Sequence, residues 1–93
     1  MESQRRVEAI VHGIVQGVFF RYNTRQQAEG LGVVGTVENL SDGTVRVVAE
    51  GSVERLDALI AWLQTGPEAA VVERVDVVWS DRIGGLAGFA ILR

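Results

Sequence analysis

Cysteine is absent from this 93-residue chain, which removes disulfides, thiolate metal sites and thiol nucleophiles together. That absence fits a reducing compartment, so the expected location is cytoplasmic. The sequence has a single histidine and a single proline. His12 has no neighbour at metal-ligand spacing, and a surface or structural role is expected for it. No apolar run reaches the roughly 18 residues of a membrane span. The opening MESQRRVEAI lacks an apolar core followed by small residues, so neither a membrane segment nor a signal peptide is expected. Positive charge is also short. Nine basic residues face twelve acidic ones, for a net charge of −3, whereas electrostatic binding to nucleic acid rests on a basic surface.

What is present is a well-filled core for one small domain spanning 1–93, since 47% of the residues are hydrophobic. The chain reads twice as strand, helix, strand. Residues 6–13 alternate, with Val7, Ala9 and Val11 on one side. A glycine-bearing stretch, Gly13 to Gly17, follows, and from Phe20 or Arg21 to about Leu31 the composition turns helical, with Tyr22, Ala28 and Leu31 as a sparse inward stripe. Residues 33–40 and 44–50 are valine-rich strands separated by Ser41-Asp42-Gly43, a hairpin signal because Asp and Gly tolerate positive φ. Ser52 is a fitting N-cap for a second helix, in which Val53, Leu56, Leu59, Ile60 and Leu63 recur at the helical period before Gly66-Pro67. Residues 71–79 form another strand, with Val75, Val77 and Trp79 on one face, and a short strand closes around Phe89 and Ile91. The expected architecture is therefore an α+β, ferredoxin-like βαββαβ sandwich: an antiparallel sheet, two helices on one face and a short C-terminal strand.

That plan hosts many functions, so chemistry must be argued from particular residues. The joint of the first strand and first helix reads Gly13-Ile14-Val15-Gln16-Gly17-Val18-Phe19-Phe20-Arg21. A glycine-bearing loop entering a helix leaves backbone N–H groups unpaired where the helix dipole is positive, a cradle for an anion. Arg21 adds a planar fork of donors that matches two phosphate oxygens. On spacing alone, a plain strand-to-helix turn with a solvated arginine remains the simpler alternative.

The residues themselves resemble the acylphosphatase signature, a glycine followed by Val-Gln-Gly-Val, one variable position, then Phe-Arg. Leu31-Gly32-Val33-Val34-Gly35-Thr36-Val37-Glu38-Asn39 is similar to that family's second signature. Asp42-Gly43-Thr44-Val45, Ala49-Glu50-Gly51 and the closing Phe89-x-Ile91 also fit, so the resemblance spans most of the chain. It implies hydrolysis of acyl phosphates, with the backbone of Gln16, Gly17, Val18, Phe19 and Phe20 wrapping the phosphate, Arg21 binding its oxygens and Asn39 orienting the attacking water. It further implies no metal, no cofactor and no covalent phosphoenzyme, with inorganic phosphate as product or inhibitor, and a monomer is the default. Thr36 stands where the family often has tryptophan, and Glu38 where a basic residue is common. On a strand Glu38 points away from Asn39, so the site residues are expected to survive the change.

Chemistry agrees with that implication. An acyl phosphate is a mixed anhydride with a good leaving group, and fixing water and phosphate is enough without a strong base. Other candidates fare worse. Glu50, Glu54 and Asp57 are expected to form a solvated helix start, and Trp62 and Trp79 to pack in or beside the core. An RNA-recognition module shares the topology but displays base-stacking aromatics on its central strands, and neither 7–13 nor 44–50 contains one. A catalytically quiet ligand-sensing domain is the other alternative.

Overall fold

The computed structural model describes residues 3–92. Met1 and Glu2, which open the segment read above for a leader, and Arg93 lie outside them. The elements are β1 (Gln4–Ile14), α1 (Phe20–Leu31), β2 (Val34–Asn39), β3 (Val45–Ser52), α2 (Val53–Thr65), β4 (Val71–Ser80) and β5 (Phe89–Leu92). They form one five-stranded sheet in the order β4-β1-β3-β2-β5. β1 pairs antiparallel with β3 and β4, and β2 pairs antiparallel with β3. The closing strand β5 joins β2 in parallel, Val37 opposite Ile91, so the sheet as a whole is mixed.

Period-two alternation sets the layers. Val7, Ala9 and Val11 of β1 are at most 1% exposed and face the helices with Val45, Val47 and Ala49 of β3 and Val37 of β2. α1 lies over β2 and β5, and α2 over β4, β3 and β1. α2 begins as its sequence indicates: the Ser52 hydroxyl accepts from the Arg55 amide at 3.3 Å, and Leu56, Leu59 and Leu63 are buried. Truncating one of these leucines to alanine costs about 2–5 kcal/mol. The inward stripe of α1 differs from the expected one. Ala28 is buried and Leu31 packs against the core as expected, but Tyr22 turns outward and is 47% exposed, and Phe20 and Thr24 are buried instead. Thr24 was missed because a hydroxyl reads as polar. It becomes buriable by donating to the Phe20 carbonyl one turn back, at 2.7 Å.

The face away from the helices carries charge. Arg46 of β3 bonds Glu8 of β1 at 2.9 Å and Glu38 of β2 at 3.3 Å. Glu50 also corrects an expectation. It is not part of a solvated helix start but a β3 residue, 7% exposed. Its carboxylate accepts from Arg6 at 2.7 Å and from the Gly84 amide at 3.0 Å. The residues between β4 and β5 must travel from one edge of the sheet to the other, and this pair of bonds ties them to the open face. Edge strand β4 shows Val71 and Val78 to solvent, with exposed Glu73, Arg74 and Asp76 between them. Among the described residues, no helix is long and apolar enough to cross a membrane.

Candidate active site

The loop after β1 owes its path to alternating anchors and unusual backbone. The β1–β4 register shifts at His12/Gly13. Gly13 has φ 131°, and a Cβ there would sit 2.0 Å from the Val71 carbonyl oxygen, so only glycine lets β4 pass. Val15 is then buried at 1% and Phe20 at 2%, with the Phe20 ring 5.7 Å from that of Trp62. Between these two pins the chain arches outward through Gly17, at φ 74°, and Phe19, at φ 60°. A non-glycine residue in the left-handed region costs on the order of 1–2 kcal/mol, and Phe19 is the one non-glycine residue with positive φ among those described.

Phe19 is also the N-cap of α1. It makes no side-chain cap, and the first turn contains no acidic residue. Its carbonyl instead accepts from the Asn23 amide at 3.1 Å and from Asn23 Nδ2 at 2.9 Å. The helix therefore starts with uncapped N–H groups, which concentrate partial positive charge.

Asn39 arrives from the other side. It ends β2 opposite Val45, on the same face as Gly35 and Val37 and thus toward the helices, while Glu38 points to the open face. The Glu38 charge is met there by Arg46. The guanidinium of Arg46 is itself pushed above its ordinary value, chiefly by its hydrogen bond to Glu8 and with Glu38 adding to it. The hairpin after Asn39 is tight: the Leu40 amide donates to the Thr44 carbonyl at 2.9 Å, and the Thr44 hydroxyl to Asp42 at 2.6 Å. The Thr44 hydroxyl, and then the Thr44 amide, hold the Asp42 carboxyl below the usual carboxylate range. Gln16 ties this hairpin to the loop, its Nε2 donating to the carbonyls of Leu40 at 2.8 Å and Thr44 at 2.9 Å. Two acceptors around one atom identify it as the NH₂ group.

Loop, helix start and hairpin enclose a cavity of about 600 Å³ lined by Val15, Gly17, Phe19, Phe20, Arg21, Tyr22, Asn39 and Ile91. Of the residues singled out from sequence, Gly17, Phe19, Phe20, Arg21 and Asn39 come together here. Gln16 and Val18 do not line the cavity; Gln16 turns its side chain to the hairpin, and Val18 packs half-buried against the core. Sequence reasoning missed Val15, Tyr22 and Ile91 as lining residues. Ile91 carried a signal in the Phe-x-Ile pattern, and Tyr22 in its place directly after Arg21.

Arg21 forms no ion pair among the described residues, although Arg5, Arg6, Arg46 and Arg74 all do. Asn39 Oδ1 is buried and has no hydrogen-bond partner among them. An unpaired buried acceptor costs about 1–3 kcal/mol. His12 lies on the opposite face, 2.9 Å from Asp76 and 3.2 Å from Arg74, so it takes a structural position. Trp62 and Trp79 pack against the core, as expected.

A guanidinium with no carboxylate partner among the described residues, an uncapped helix start and a carboxamide thus stand together at one cleft of a small α+β sandwich. The acylphosphatase family model matches residues 7–91. An acylphosphatase of Pelotomaculum thermopropionicum is 47% identical over 89 residues, covering 96% of this chain and 97% of the relative. One of Rubrobacter xylanophilus is 49% identical over 94 residues, covering 98% of this chain and 86% of the relative. The crystal structure of acylphosphatase from Bacillus subtilis superposes with a TM-score of 0.93 at 31% identity, covering 96% of this chain and 99% of that one. The chain belongs to the acylphosphatase family, hydrolases whose activity is the cleavage of acyl phosphates.

Proposed function

We propose that this chain, as a single domain, hydrolyses acyl phosphates without metal, by direct attack of a water that Asn39 orients on a phosphate held by Arg21 and the amides of residues 16–20. Arg21 takes two phosphate oxygens with its fork, and the loop and helix-start amides take the rest. The Asn39 carboxamide oxygen accepts a hydrogen bond from the water and aims its lone pair at phosphorus. The water oxygen joins phosphorus, and the bond from phosphorus to the acyl oxygen breaks. The carboxylate leaves with the electron pair, and the released protons go to the phosphate product and solvent. A carboxylate leaves readily because its conjugate acid has a pKa of about 4, so positioning and charge stabilisation account for the acceleration.

The observation that carries this reading is the shared cavity of Arg21 and Asn39, with Asn39 Oδ1 buried and unpartnered among the described residues. A cytoplasmic monomer that inorganic phosphate inhibits as product belongs to the same proposal. The test is release of phosphate from acetyl and benzoyl phosphate in excess chelator. Turnover persists in chelator, and Arg21→Ala lowers kcat/KM by about 10²–10³. Arg21→Lys restores little of it, since an ammonium lacks the planar fork. A requirement for magnesium, or an Arg21→Ala enzyme of near wild-type rate, refutes the mechanism.

A further inference from the structure

The phosphate end of the cavity uses Arg21, Asn39 and loop amides, that of Phe19 among them, and this leaves the side chains of Phe19, Tyr22 and Ile91 with no part in that chemistry. Phe19 is 78% exposed, so its ring gains almost nothing from packing, yet its backbone holds the left-handed conformation that glycine adopts more readily. Among the described residues no aromatic or cation–π contact involves that ring. Tyr22, in contrast, is held in place: its hydroxyl accepts from Gln26 Nε2 at 2.8 Å, and the Arg25 guanidinium lies 5.8 Å from the ring centroid. The result is an aromatic flank of the cavity, with Tyr22 held in place and the Phe19 ring open to solvent.

Resting on the acyl phosphate reading above, we propose that Phe19 and Tyr22, with Ile91, form the binding site of the acyl group and select neutral apolar acyl phosphates, aromatic ones above all. When the phosphate is bound among the donors, the acyl carbon must project away from them, and the remaining lining of the cavity is apolar. Among the described residues Arg21 is the sole charged one of the lining, and the phosphate engages it. A charged acyl group therefore finds no counter-charge on the walls, whereas a phenyl group finds two aromatic rings, and such ring pairs are favourable beyond simple area burial.

The test is the ratio of kcat/KM for benzoyl phosphate to that for acetyl phosphate in wild type, Phe19→Gly, Tyr22→Ala and Tyr22→Phe. Inhibition by inorganic phosphate, which has no acyl group, is measured alongside. Comparing the ratio between variants cancels the intrinsic reactivity of the two anhydrides. Phe19→Gly suits the backbone at that position, and Tyr22→Ala suits the helix. The expected result is a ratio lowered about tenfold by Phe19→Gly and by Tyr22→Ala, and kept by Tyr22→Phe, which retains the ring. Losses equal for both substrates and for phosphate affinity overturn the proposal, since they mean the rings only support the loop. An unchanged ratio in both ring-deleted variants overturns it too. A wild-type protein inactive on both substrates defeats the underlying acyl phosphate reading, an outcome separate from any change of ratio among active variants.

Discussion

Gln16 connects the two halves of the cavity, and its replacement reads out that connection. Gln16→Ala removes two hydrogen bonds, to the Leu40 and Thr44 carbonyls. Neither carbonyl is left empty, because Leu40 O still accepts from the Gly43 amide at 3.2 Å and Thr44 O from the Leu40 amide at 2.9 Å. The loss is therefore the net value of two neutral bonds, about 2 kcal/mol at about 1 kcal/mol each, with no added cost for orphaned acceptors. For a domain of this size that lowers Tm by roughly 8–16 °C. Gln16→Glu is worse at neutral pH, since it sets a carboxylate against two carbonyl oxygens with no proton to share. The folded state then disfavours the charged form and raises the pKa of the new carboxyl. The penalty is full above that raised pKa and shrinks as the pH falls and the group gains an O–H. Urea and thermal unfolding measure both variants, and kcat on an acyl phosphate measures how far the hairpin carrying Asn39 has drifted from the loop. If Gln16→Ala unfolds within 0.5 kcal/mol of wild type and turns over at the wild-type rate, the tie between loop and hairpin is irrelevant and this reasoning is wrong.

Other substitutions probe the remaining parts. Asn39→Ala is expected to depress kcat far more than the affinity for inorganic phosphate, and equal losses in the two assays would move Asn39 from water placement to anion binding. Glu50→Ala removes the bonds from the part-exposed Arg6 guanidinium and from the Gly84 amide and costs about 1–2 kcal/mol in chemical denaturation; a loss below about 0.5 kcal/mol would show that the crossover needs no such tie. Gly13→Ala drives a Cβ into the Val71 carbonyl region and adds strain at φ 131°, so the variant is expected to be severely destabilised or to fail to accumulate as folded protein, as seen by circular dichroism.

Much of this molecule is legible locally. α2 shows its periodic leucines and its serine cap, and the hairpin shows its Asp-Gly. Arg21 and Asn39 stand out because each sits in a distinctive run of neighbours. The features that escaped depend on contacts between distant residues. Glu50 looks like one more acid before a helix until the crossover is seen to lie on it. Thr24 looks polar until its hydroxyl is satisfied within its own helix. The parallel partner of β5 has no local signal, because parallel and antiparallel strands share the same alternation. Tyr22 and Ile91 are brought to the cavity by the helix rotation and by that parallel register, and neither is encoded by spacing near the loop.

With β4 at the edge of the sheet, ten residues of backbone have one side free for another strand. Glu73, Arg74 and Asp76 interrupt what is otherwise a valine-dense ribbon, and a second molecule docking alongside would have to strip water from all three. Those charges thus serve as guards against fibrous self-association. Exchanging those three side chains for apolar ones is the change that would turn that edge sticky.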